Sequence, residues 1–174
     1  MKRKSRTMSV LQKVKIRRAI ATDREQLGNM VKALANHLKR PLTYEALERL
    51  KCDAFGTLPP FDTWIAEVDS SIVGYAITTY DYWTLYAARA LHLNNLFVLP
   101  EYRRQGVGKT ILFHLCKLAV DSSCAGLKFE VISWDTEAIG FYERLGVKRS
   151  DNYLSYSLKG EDLEQIVAYL QINS

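Results

Sequence analysis

The sequence predicts an α/β (α+β) domain with a mixed central β-sheet flanked by helices and finished by a C-terminal helix. Three observations carry that prediction. Apolar residues switch between a two-residue and a three-to-four-residue period along the chain, so strands and helices are interleaved. Two β-rich runs are separated only by Asp69-Ser70, which makes a hairpin. A later strand runs through Gly106-Val107-Gly108 into an amphipathic segment, which makes a crossover.

In chain order, Val14-Lys15-Ile16-Arg17 alternates as a half-buried strand does. Thr22-Asp23-Arg24-Glu25 has capping-box spacing and opens a helix with Leu27, Met30, Val31, Leu34 and Leu38 on one face, closed by Pro41. A shorter helix from Thr43 to Lys51 carries Leu47 and Leu50. The hairpin strands run from Phe61 to Val68 and from Ser71 to Tyr80, and a third strand runs from Leu91 to Leu99 before Pro100. The helix after the glycines presents Ile111, Leu112, Leu115, Leu118 and Ala119. A strand from Leu127 to Ser133 follows, then a helix capped by Asp135 that stops at Gly146. A last strand or hairpin is expected from Val147 to Leu158. Leu163, Ile166, Val167 and Leu170 then recur at helical spacing and need an apolar partner surface, such as a second subunit.

Composition narrows the function classes. The chain has 174 residues, 48% of them hydrophobic, enough for one core and too few for two full domains. Its net charge is +5, but four of its 24 basic residues are Lys2, Arg3, Lys4 and Arg6, so the remainder is close to neutral. Residues 1–12 therefore read as a basic disordered tail and residues 13–174 as the folded domain. No recognition helix or aromatic platform accompanies the tail, which argues against nucleic-acid binding. There is no membrane-length apolar run and no secretory leader pattern, so a soluble cytoplasmic protein is expected. Cys52, Cys116 and Cys124 form no metal-ligand or disulfide spacing and read as reduced thiols that pack as small hydrophobes. No metal is expected.

A strand that runs into Gly-x-Gly and a helix places free backbone amides at the positive end of a helix dipole, a cradle for phosphate. Leu96-Phe97-Val98-Leu99-Pro100-Glu101-Tyr102-Arg103-Arg104-Gln105-Gly106-Val107-Gly108 resembles the acetyl-CoA signature of the GNAT N-acetyltransferases. Trp134-Asp135-Thr136-Glu137-Ala138-Ile139-Gly140-Phe141-Tyr142 resembles that family's later Asn-x-x-Ala-x-x-Phe-Tyr segment. Within the family the chain is most similar to the diamine (spermidine/spermine) and thialysine acetyltransferases, over roughly Val14 to Leu170.

The resemblance implies a GNAT fold, acetyl-CoA as co-substrate, a primary amine as acceptor and a homodimer. It implies that the backbone of Leu96, Phe97 and Val98 pairs with the pantetheine arm. It further implies that Arg103, Arg104, Gln105, Gly106, Val107, Gly108 and Lys109 hold the pyrophosphate. Asp135, Thr136, Glu137 and Ala138 would touch the far side of the coenzyme, and Tyr142 would protonate the departing thiolate. In the polyamine enzymes a Glu-Asp pair precedes the strand end; here Asn94-Asn95 stand there, and amides cannot take a proton at working pH. Asn94 and Asn95, whose amides can orient a substrate through hydrogen bonds, join Asp81, Trp83, Glu130 and His37 as candidate substrate residues, and Asn94 is counted with Tyr142 and His92 as a candidate catalytic residue. His37 and His92 are the candidate replacement bases, because imidazole titrates near neutrality. Alternation puts His92, Asn94 and Leu96 on one strand face unless a bulge intervenes. The lost carboxylates make polyamines poor acceptors and favour one cationic centre. The alternative function is an acyl-CoA-binding sensor or scaffold without turnover.

Overall fold

The computed structural model describes residues 14–150 and 155–172, so the expected basic tail lies outside the described residues. The chain divides into two compact units, one reaching Glu130 and one starting at Val131. The first contains β1 (Val14–Arg18), α1 (Arg24–His37), α2 (Tyr44–Ala54), β2 (Asp62–Val68), β3 (Ser71–Trp83), β4 (Ala88–Val98), α3 (Val107–Asp121) and β5 (Leu127–Lys128). The second contains α4 (Thr136–Glu143) and α5 (Glu161–Ile172). The sheet order is β1-β2-β3-β4-β5, antiparallel throughout except for the parallel β4–β5 pair. This is the mixed sheet flanked by helices that the periodicities predict.

Register decides what each sheet face buries. Ile65 pairs with Tyr75, and Tyr75 pairs with Phe97, so these side chains share one face. Leu27, Met30 and Val31 of α1 pack there, with Leu47 and Leu50 of α2 against the same cluster. Each such fully buried side chain contributes about 1.5–3 kcal/mol of apolar burial. The opposite face carries Trp64, whose ring meets His114 of α3 at 4.7 Å, and α3 buries Ile111, Leu112 and Leu115. α2 also buries Lys51, an unexpected core residue: its stem packs beside Gly28 and its Nζ reaches Glu25 and Glu48 at 2.9 and 2.8 Å.

Several element boundaries differ from those read in the sequence. No side-chain cap bond is made by Asp23, the residue before α1, so the Thr22–Glu25 box is not the device used. Instead the Asp23 carboxylate accepts the Ile20 amide at 2.8 Å and pairs with Arg17, which competes better for a buried carboxylate than a helix amide does. The second hairpin strand and the third strand are longer than expected, because β3 and β4 keep pairing to Trp83 and Ala88 and close through Ala87 at φ 47°. The strand expected from Leu127 to Ser133 stops at Lys128. Only Leu91↔Leu127 and His92↔Lys128 pair, and without a neighbouring ladder the backbone beyond them is not a strand. For the same reason the strand expected from Val147 to Leu158 is not found among its described residues; residues 151–154 lie outside them.

In the second unit, Asp135 caps α4 by accepting the Ala138 amide at 3.0 Å, as the sequence indicates, and the turn closes at Gly146 with φ 79°. The C-terminal helix leaves Leu163, Val167 and Leu170 about half exposed. The three cysteines are unbridged, but Cys52 and Cys116 are exposed rather than packed as core. Among the described residues, no helix is long and apolar enough to cross a membrane.

Candidate active site

At the end of β4 the chain turns through Pro100–Tyr102 and enters α3 at Val107. The first helical bond of this turn runs from the Thr110 amide to the Gly106 carbonyl at 2.9 Å, so the amides just before Thr110 have no acceptor within the helix. Gly106 sits at φ 91°, a conformation that costs a residue with a Cβ roughly 1–2 kcal/mol. Arg104 tolerates φ 59° two residues earlier.

The side chains expected to grip pyrophosphate divide into braces and exposed charges. Arg103 Nε donates to the Val98 carbonyl at 3.1 Å with its guanidinium over the Phe97 ring, and Gln105 donates to the Glu101 carbonyl at 2.7 Å. Both hold the loop. Thr110, which the motif does not flag, adds a hydroxyl bond to the Gly106 carbonyl at 3.2 Å. Arg104 and Lys109 are exposed beside the amides of Val107 and Gly108.

Among the described residues, the far edge of β4 is paired only as far as His92, because β5 pairs no further. Leu96, Phe97 and Val98, the expected pantetheine partners, lie on that unpaired stretch, with Phe97 and Val98 side chains buried. A bulge falls here. Ile77 pairs with Asn95 and Thr78 with Leu93, so Asn94 is the extra residue. The bulge separates His92 from Leu96: His92 shares its face with Asn95 and Phe97, while Leu96 faces the other way. The expected His92–Asn94–Leu96 face is therefore corrected, since one inserted residue shifts everything beyond it to the opposite side.

The His92 face carries the titratable groups. Asn94 accepts a hydrogen bond from the Thr79 hydroxyl at 3.0 Å through its Oδ1. His92 Nε2 lies 2.9 Å from Glu130 and its Nδ1 lies 3.8 Å from Asp81. Lys128 Nζ meets the same Asp81 oxygen at 2.6 Å. Trp83, two residues beyond Asp81, packs on Tyr86 and so closely over Gly126 that a Cβ there would come within 2.9 Å of its ring. Asp81, His92, Asn94, Asn95, Trp83 and Glu130 are thus brought to one region. His37, by contrast, is the exposed last residue of α1. Lys128 is missing from the candidates drawn from sequence; its signal is the Lys128-x-Glu130 spacing, which in the expected Leu127–Ser133 strand would put both on one side.

Tyr142 lies in the last turn of α4, its ring edge-on to Phe141 at 4.9 Å. Burial, with a smaller contribution from Asp135, pushes the phenol up to about 12. Such a phenol stays protonated across the physiological range and donates a hydrogen bond there. Thr136, Glu137 and Ala138 form the first turn of the same helix.

The profile of the Acetyltransferase (GNAT) family matches residues 31–147. A thialysine N-epsilon-acetyltransferase from Mus musculus is 28% identical over 166 residues, covering 87% of this chain and 96% of the relative. The spermidine/spermine N(1)-acetyltransferase-like protein 1 of Homo sapiens is 30% identical over 142 residues, covering 75% and 20%. An L-ornithine N5-acetyltransferase from Arabidopsis thaliana is 29% identical over 98 residues, covering 56% and 43%. Among solved structures, an integron cassette protein of V. cholerae superposes with a TM-score of 0.77 at 20% identity, covering 89% of this chain and 98% of that one. A ribosomal-protein-alanine N-acetyltransferase from Brucella melitensis gives 0.69 at 21% identity, covering 84% and 99%.

Proposed function

Taking as premise that the chain belongs to the GNAT acetyltransferase family and is an acyltransferase, we propose that it moves an acetyl group from acetyl-CoA to a primary amine carrying one cationic centre. The observation that carries this reading is the junction of an open β4 edge with an α3 N-terminus whose glycine stands at φ 91°. The open edge suits an extended amide-bearing arm, and the unpaired amides suit its pyrophosphate. Arg104 and Lys109 would add charge to that end; Arg103 and Gln105 would act by bracing it.

An alkylammonium, with a pKa near 10.4, must lose a proton before it can attack the thioester carbonyl. His92 is the group for that step, working directly or through one water. Donating Nε2–H to Glu130 leaves Nδ1 with a lone pair for the incoming proton. The amine nitrogen bonds to the acetyl carbon, the C–S bond breaks, the surplus proton on nitrogen passes to water, and the coenzyme leaves as thiolate. Tyr142 supplies a hydrogen bond to that thiolate. With a phenol near 12, full proton transfer to sulfur is uphill, so stabilising the developing charge is its larger share. Asn94, tied to Thr79, and Asn95 orient the acceptor without taking its proton.

Relatives named for thialysine and L-ornithine support testing first the amino acids with a side-chain amine, whose second ammonium is offset by their own carboxylate. The test is coenzyme thiol release from acetyl-CoA across lysine analogues, monoamines, diamines, polyamines and lysine peptides. The expected result is turnover with one-cation acceptors. Coenzyme binding with no thiol release from any amine would overturn the reading. A homodimer is also proposed, supported by the half-exposed Leu163, Val167 and Leu170 of α5. A monomer in sedimentation at micromolar concentration removes it.

A further inference from the structure

Resting on that acceptor site, we infer that Lys128 is a specificity-determining residue, an internal cation that occupies Asp81 and thereby turns away di- and polycationic amines. The pair is close: Nζ and Oδ2 are 2.6 Å apart, and the two side chains are 39% and 33% exposed, so an acceptor can reach them. They stand on the His92 face, where Glu130 is engaged with the imidazole at 2.9 Å. Two carboxylates therefore face one fixed ammonium and an imidazole, and the patch offers at most one negative charge beyond its own cations. The first ammonium of a diamine would be neutralised for attack. Its second would have to displace Lys128 from Asp81 or approach an uncompensated lysine, and like charges at short range repel. The amides at Asn94 and Asn95 add no charge to offset that cost.

A structural ion pair that merely ties β5 to β3 would change stability when broken but would not discriminate between amines. The distinguishing measurement is calorimetric binding of putrescine and butylamine, chains of equal length with two cations and one, to the whole protein and its variants. Lys128→Met and Lys128→Gln should each tighten putrescine about tenfold, the scale of one charge-assisted hydrogen bond gained at Asp81, and change butylamine less than about twofold. Lys128→Arg should leave both unchanged. Lys128→Met combined with Asp81→Asn should return putrescine to the parent value. Equal shifts for the two amines, or none, overturn the inference. Because binding is read without turnover, a putrescine gain in a protein that releases no thiol would sink the proposed transfer reaction and keep the filter.

Discussion

Two clusters of carboxylates and cations sit at opposite edges of the sheet, and they are built differently. At the β1–β2 edge, Arg17 forks between Asp23 at 2.6 Å and Glu67 at 2.7 Å. The Asp23 side chain is only 5% exposed, and it also accepts the Ile20 amide. At the β4–β5 edge, His92, Asp81, Lys128 and Glu130 make contacts of similar length, yet Glu130 is 73% exposed and Asp81 33%. The first network is more buried and more closely paired, so its members hold the fold. The second is wet and its partners can be exchanged, as a site that must admit a charged amine requires. Burial and close pairing, more than the presence of charge, separate the structural cluster from the one proposed to act on an amine.

The largest effect is expected at the more buried edge. Asp23→Ala leaves Arg17 and the Ile20 amide short of a partner and should cost about 3 kcal/mol in urea unfolding, the scale for breaking a buried pair. Amine turnover per folded molecule should be unchanged. The same residue makes an acid limb. Arg17 holds the Asp23 carboxyl below the usual carboxylate range, so the folded form binds that proton less readily than the unfolded chain does. Its stabilisation is complete above the unfolded value of about 4 and fades as pH falls through the folded value. Asp23→Asn should flatten the loss of stability below about pH 4. An unchanged acid limb would assign it to other carboxylates.

The same contrast governs what the sequence discloses. The glycine-capped helix, the Asp135 cap and the α1 face are legible because each depends on residues within a few positions of one another. Arg17 with Glu67 is not, since the partners are 50 residues apart and meet only through the β1–β2 register. The early end of β5 is hidden for a related reason: a strand lasts only as long as its neighbour's ladder. The bulge left a trace that alternation alone passes over. Leu91 and Leu93 are two apart, as are Leu96 and Val98, but Leu93 and Leu96 are three apart, and the extra step is the Asn94-Asn95 doublet. Lys128 is absent from the sequence candidates because its pairing with Asp81 depends on the β3–β4–β5 register.

On the open edge the comparison is sharpened by His92→Gln. Glutamine keeps a polar group toward Glu130 but cannot relay a proton at working pH. kcat should fall on the order of 100-fold, the scale of a lost general base, while stability moves by less than about 1 kcal/mol. Asp23→Ala and His92→Gln thus predict opposite patterns in the same two assays. A His92→Gln protein with full turnover would move the proton relay elsewhere and leave the wet cluster a binding patch only.

Glu130 carries the smallest effect. Its carboxylate is mostly exposed, so Glu130→Gln should alter unfolding free energy by no more than about 1 kcal/mol. Its proposed contribution to transfer is to aim the imidazole. Gln can still accept a hydrogen bond from Nε2, whereas Ala cannot. Glu130→Ala should therefore lower kcat about fivefold with KM nearly constant, and Glu130→Gln should recover most of that loss, the differences lying within the range of an exposed hydrogen-bonded pair. If Ala and Gln lower kcat equally, charge rather than aim is what Glu130 supplies. If neither changes kcat, the Glu130–His92 bond belongs with the structural contacts, and exposure alone no longer distinguishes the two edges.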